Sequence, residues 1–156
     1  LGQGYQLIQS KIALGSGGAT GKGFLEGTQS YLEYLPEKQT DFIFTLIGEE
    51  FGFIGSIFII LLFILLISVC YFISIKCFHI FGRLLAIGVA SNIFIYVFIN
   101  IAMVSGLMPV VGIPLPLISY GGSVMLSIML SIGLVLNVEL NYNLKKLNNA
   151  WNKKLK

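Results

Sequence analysis

A carboxylate held at the edge of a membrane can do proton chemistry on a lipid-linked substrate. Asp41 has the surroundings for that. It stands in Leu35-Pro-Glu-Lys-Gln-Thr-Asp-Phe-Ile-Phe, which ends at Phe44, and an uncharged run from Phe51 to Ile75 follows after Glu50. Glu37 and Glu49 lie within ten residues on either side. On a continuous helix the eight residues from Asp41 to Glu49 turn about 80°, so the two acids can border one cleft. An acid in the first turn of a helix also has a plain structural use, because it suits the helix dipole. Residue type alone leaves both uses open for Asp41. No Ser, His or Cys nucleophile accompanies it, and His79, the single histidine, lies 38 residues away in a short connector.

Lysines supply the second kind of candidate. Lys11 and Lys22 flank the stretch Gly15-Ser-Gly-Gly-Ala-Thr-Gly-Lys-Gly. This is not a P-loop: Ser16 stands where the first glycine is required, and Gly23 follows Lys22 in place of Ser or Thr. It is not a dinucleotide fingerprint either, since Thr20 replaces the third glycine. A flexible loop is the expected state. Its backbone N–H groups, with Lys11 or Lys22, could still receive a pyrophosphate. Cys70 and Cys77 have no metal-ligand or disulfide spacing and read as small apolar filler.

The elements that must position these residues follow from composition. Of 156 residues, 56% are apolar and 11% charged, against about 25% charged in soluble domains. The expected class is an all-α polytopic membrane protein. Three spans are predicted, at about 51–75, 84–104 and 118–138. A helix as long as the first would measure ~37 Å, enough for a ~30 Å hydrocarbon core. Between the second and third lies Gly106-Leu-Met-Pro-Val-Val-Gly-Ile-Pro-Leu-Pro, whose three prolines and two glycines cannot continue a helix. Irregular backbone this apolar belongs at membrane depth only when buried in protein or lining a cavity.

Charge sets the sidedness. Residues 1–50 hold three lysines against six acids, a net of −3. Lys76 and Arg83 carry the connector after the first span, and five lysines fill the tail after Glu139. By the positive-inside rule the connector and the tail at 139–156 are cytoplasmic, while segment 1–50 and the loop at 106–116 lie outside. Within 1–50, a short helix around Ser10–Leu14 and partial helix over Glu26–Leu35 are expected, with Pro36 restarting the chain. Thr40 is the expected N-cap of a helix that begins near Asp41 and runs into the first span. Asn92 and Asn100 sit inside the second span and are expected to bond neighbouring helices. The chain opens on Leu1 and lacks a signal peptide pattern, so it reads as the C-terminal part of a longer protein.

Three ordered blocks carry a resemblance. The first is Tyr5-Gln, Ser10-Lys-Ile-Ala, Gly-Ser-Gly-Gly, Gly-Lys-Gly and Gly27-Thr-Gln. The second is Leu35-Pro-Glu-x-x-Thr-Asp-Phe-Ile-Phe followed by Gly48-Glu-Glu-x-Gly. The third runs from Gly106 through Pro-Val-Val-Gly-Ile-Pro to Ser119-Tyr-Gly-Gly-Ser. Over about residues 2–140 the chain resembles the SEDS family (shape, elongation, division and sporulation), and within it the rod-shape branch.

The resemblance implies the last three of about ten spans plus the large outer loop before them. It implies a peptidoglycan glycosyltransferase that polymerises lipid II during wall elongation in the bacterial inner membrane. Asp41 matches the family's essential loop aspartate, the general base on the acceptor hydroxyl. Partial burial by Phe42 and Phe44 would raise its pKa toward working pH. A lysine, with Lys11 first in line, or a divalent cation such as Mg or Mn is implied to offset the leaving pyrophosphate. Lys22, Glu37 and Glu49 are the further substrate-binding candidates. The implied partners are lipid II, membrane lipid, a class B penicillin-binding protein and other membrane proteins of the elongation complex, with no nucleic acid. The competing functions are a lipid II flippase and a non-catalytic scaffold. Without the spans that complete the groove, residues 1–156 alone are expected to be inactive.

Overall fold

The computed structural model describes residues 3–23 and 40–154, with side chains over 4–23 and 40–144. The helix expected at Glu26–Leu35, the restart at Pro36, and Glu37 lie outside the described residues. Among the described residues there are five helices: α1 (Gln3–Ser16), α2 (Ile43–Glu50), α3 (Gly52–Lys76), α4 (Ile80–Val104) and α5 (Gly122–Lys154). No strand occurs among the described residues. Among the described residues, three stretches are long and apolar enough to cross a membrane: Gly52–Lys76, Ile80–Val104 and Gly122–Leu144.

Their boundaries differ from the predicted ones in instructive ways. α4 starts at Ile80, four residues early, because His79 is extended and the turn from α3 needs only Cys77–His79. The third long helix starts at Gly122, four residues late, because Pro114, Pro116 and a left-handed Leu117 keep the chain irregular up to Gly121. At its other end α5 runs on to Lys154, so the lysine-rich tail begins as a continuation of the helix.

The packing seam lies along one stripe of α4. Gly82, Ala86, Ala90, Ile93, Val97, Asn100 and Val104 are all buried and spaced three or four apart. Small residues occupy the first half, where α3 and α5 come close. Cys70, Ile73, Ala86, Ala90 and Val135 pack there, as small residues do between apolar helices. A side chain at Gly82 would run into Cys77 and Val138. The bulkier second half meets Phe42, Phe44, Phe63 and Leu115. Elsewhere α3 and α5 leave most of their apolar surface outward: Phe53, Phe58, Leu65, Phe72, Leu126 and Leu130 are all more than half exposed. Helices this apolar on every side belong in lipid or against further helices.

The two ends of the bundle have opposite character. At one end a cavity of about 150 Å³ is lined by Ile73, Lys76, Val138, Glu139, Tyr142 and Asn143, where α3 finishes and α5 leaves the bundle. At the other end α1, α2 and the 106–121 segment gather, with Asp41 among them.

Candidate functional site

The site is built on a broken helix. A single helix from Asp41 into the first span was expected, but the chain breaks at Phe51–Gly52, where Gly52 has φ +67°. The glycine loop causes the break by packing into it. Phe53 and Ile54 donate their N–H groups to the carbonyls of Gly18 and Ala19, at 3.0 and 3.2 Å. In return Lys22 and Gly23 donate to the carbonyls of Glu49 and Glu50, both at 3.1 Å. These four bonds satisfy carbonyls at the end of α2 and N–H groups at the start of α3, which a helix break leaves without intrahelical partners.

So the loop expected to be flexible is a packed plug. Its glycines serve close approach: a Cβ at Gly17 would strike the Gly48 carbonyl, and one at Gly21 the Glu50 carbonyl. Two of the N–H groups that a pyrophosphate would need are already committed. Lys22 Nζ lies 2.9 Å from Glu49 Oε1, and Glu49 is 1% exposed. The pair clamps the loop to α2, and partnering is what makes so deep a burial of a carboxylate tolerable.

Asp41 lies in the turn that leads into α2. Thr40 does not cap the helix: the N-cap is Phe42, without a side-chain cap bond, and the first turn holds no acid. Asp41 thus stands just before the first turn of α2 rather than in it. Instead Ser119 donates its hydroxyl to the Thr40 carbonyl. Asn100 Nδ2 donates to the Asp41 carbonyl at 3.0 Å and to the Ile113 carbonyl at 2.7 Å. The Phe42 carbonyl takes the N–H groups of Thr45 and Leu46, and the Phe42 ring is fully buried. Three successive carbonyls are thus fixed, and the half-buried Asp41 side chain is left beside Gly112, within 3.2 Å of where a Cβ there would stand.

Lys11 reaches the same segment from α1. Its side chain crosses Gly106, where any Cβ would collide with it. Ser10 anchors that helix by donating to the Val104 carbonyl at 3.1 Å. Lys11 and Asp41 therefore both border the 106–121 segment, one at Gly106 and one at Gly112. Glu49 does not share the cleft as a free second acid; it faces Lys22. Among the described residues no three His, Cys, Asp or Glu side chains come together as a metal site. Asp41 alone offers fewer donors than a resident Mg or Mn ion takes, so these residues do not by themselves fit one.

Sequence reading placed Asn92 and Asn100 together as helix glue. Asn92 is exposed, and Asn100 instead ties two irregular segments to α4. The signal that separates them is phase. Asn100 stands 18 residues from Gly82, on the buried stripe, while Asn92 falls about 120° from the centre of that stripe. Ser119, expected to open the third span, lies before it and pins Thr40.

Fold and site together define a multi-pass helical membrane protein that holds one carboxylate in a braced turn beside a proline- and glycine-rich irregular segment. Residues 1–144 match the FtsW/RodA/SpoVE family, described as cell cycle proteins, and the chain belongs to this family, with a RodA-type sequence. It is 56% identical over 126 residues to peptidoglycan glycosyltransferase MrdB of Escherichia coli (strain K12), covering 81% of this chain and 34% of that protein. It is 43% identical over 120 residues to peptidoglycan glycosyltransferase RodA of Treponema pallidum (strain Nichols), covering 77% and 28%.

Two solved structures share the fold. One belongs to a peptidoglycan synthase complex that coordinates polymerization and crosslinking, with TM-score 0.71 and 34% identity over 91% of this chain and 38% of that one. The other is a mutant of the rod shape determining protein RodA of Thermus thermophilus, with TM-score 0.66 and 32% identity over 84% and 40%. The chain spans about a third of the length of the curated relatives it matches.

Proposed function

We propose that the full-length protein polymerises lipid II into glycan strands, with Asp41 as general base. The observation that carries this reading is the braced turn, which holds the Asp41 carboxylate half-buried beside Gly112. In the proposed step Asp41 takes the proton of the acceptor sugar hydroxyl. The freed oxygen attacks the anomeric carbon of the donor sugar, and the bond from that carbon to the pyrophosphate oxygen breaks, releasing undecaprenyl pyrophosphate. Lys11, across Gly106, faces the charge that grows on the leaving group. The Lys22–Glu49 pair contributes indirectly, by holding α1 and α2 together behind the site.

The charge pattern supports an orientation. Lys76, Arg83 and the lysine-rich end of α5 sit at the end of the bundle away from Asp41, which favours that end as the cytoplasmic one and the site as lying outside the bacterial cytoplasmic membrane. A wall precursor is processed on that outer side. The likeness to a synthase complex supports a crosslinking partner, a class B penicillin-binding protein.

Purified full-length protein carrying Asp41→Asn tests the reading on lipid II. Loss of a general base lowers the rate by about 10²–10⁴-fold, read as glycan product at saturating lipid II. Undiminished polymerisation removes Asp41 as the base. Retained lipid II translocation with no polymerisation by the unaltered protein would point to a flippase.

A further inference from the structure

We propose that Asn100 is a positioning residue for Asp41, acting through the backbone of the Asp41 turn. This role rests on the reading of Asp41 as base. Asn100 is completely buried. Its two neighbours, at 3.0 and 2.7 Å, are the carbonyls of Asp41 and Ile113. Carbonyls only accept, so the NH₂ end of the carboxamide must face them, and both of its hydrogens are used. Its Oδ1 is buried with no partner. The residue is therefore held at this position for its donors, and its acceptor oxygen is a cost.

The two carbonyls belong to segments 72 residues apart that have no ladder or helix to bond. A buried carbonyl left without a donor is costly. One forked donor settles both and fixes the distance between the Asp41 turn and the Gly112 loop, the two sides of the site. Asn and Gln are the neutral side chains that can donate such a fork, and Gln is one methylene too long for the same seat. Asn100 itself is carried on the buried stripe of α4, so the turn is tied to a packed helix face. Ser119 works the same way on the preceding carbonyl, that of Thr40.

The test uses purified full-length protein with Asn100→Ala, Asn100→Gln, Ser119→Ala and Ser119→Thr. A carboxylate displaced by an ångström can lose about 10²-fold in rate. Asn100→Ala is expected to lower kcat on lipid II by about ten- to a hundred-fold at unchanged KM, with Asn100→Gln recovering part of it. Ser119→Ala should lose less, and Ser119→Thr should restore it by keeping the hydroxyl. Independently of activity, hydrogen–deuterium exchange over residues 40–46 should quicken by about tenfold in Asn100→Ala, the effect of losing one to two hydrogen bonds. Exchange over 106–121 should quicken with it, while α3 stays protected.

Unchanged exchange over 40–46 overturns the pin itself. A fall in kcat no larger than the loss of folded protein overturns the positioning role. Asp41→Asn that polymerises at the unaltered rate overturns the base, and with it any catalytic use of the pin. The three failures are read from different measurements.

Discussion

Two glycine-rich irregular segments meet the same short helix α2, and they are held in opposite ways. The loop at 15–23 lies on residues 48–54 backbone against backbone, with four main-chain hydrogen bonds and no space for a Cβ at Gly17, Gly21 or Gly52. The segment at 106–121 meets the turn before α2 through side chains: Ser119 reaches the Thr40 carbonyl, Asn100 of α4 forks between the carbonyls of Asp41 and Ile113, and Gly112 leaves space that the Asp41 carboxylate enters. A backbone seam closes a surface completely, whereas side-chain pins hold two strands of chain at a fixed distance and leave a gap between them. The first arrangement makes a plug and the second makes a site. Glycine content alone does not distinguish them.

Substitutions that break this contrast should have effects of graded size. The largest is expected at the plug. Gly21→Ala places a Cβ on the Glu50 carbonyl with φ at +81°, where neither backbone can yield. It should cost more than about 3 kcal/mol in the unfolding of full-length protein titrated with denaturing detergent. A wild-type midpoint would mean the loop does not seal α2.

Lys22→Ala comes next, because it strips the cation from a carboxylate that is 1% exposed. A fully buried pair would lose ~3–5 kcal/mol, and Lys22, still touched by water, should lose about 2 kcal/mol. Lys22→Met combined with Glu49→Gln should recover most of it, since no buried charge is then left alone. A double variant no better than the single one would show that the pair is not what stabilises the loop.

The smallest stability effect is expected at the site. Gly112→Ala adds a left-handed alanine, costing about 1–2 kcal/mol, and its Cβ presses on Asp41 Oδ2. Stability should fall by no more than that while polymerisation falls by about tenfold, beyond what the loss of folded protein explains. Equal losses in both measurements would erase the distinction between the two segments.

Several of these features were legible in the residue order. Uncharged runs longer than a bilayer crossing, punctuated by charge at 76–83 and by proline and glycine at 106–116, specify three apolar helices and two breaks whatever surrounds them. Asp41 was legible by its place within a long ordered motif rather than by its chemistry, because an acid before a helix has an ordinary use. The structure places Asp41 just before the first turn of α2, since the helix starts at Ile43 with Phe42 as its N-cap. Thr40 looked like a cap because hydroxyls commonly serve there. Here its carbonyl takes the Ser119 hydroxyl, and backbone groups leave no trace in composition.

What the sequence by itself determined is local: apolar length, helix breakers, the sorting of charge to one end, and the motifs that place the chain in its family. Those properties depend on residues close together in the chain. Tertiary structure decided everything that joins distant residues. Asn100 meets Asp41 across 59 positions, Ser119 meets Thr40 across 79, and Lys22 meets Glu49 across 27. A glycine can mean freedom or close approach, and an asparagine can face lipid or a buried carbonyl. Only the packing of α1, α2 and α4 around one end of the bundle selects between them, because hydrogen bonds and steric exclusion act at distances of a few ångströms that residue order does not encode.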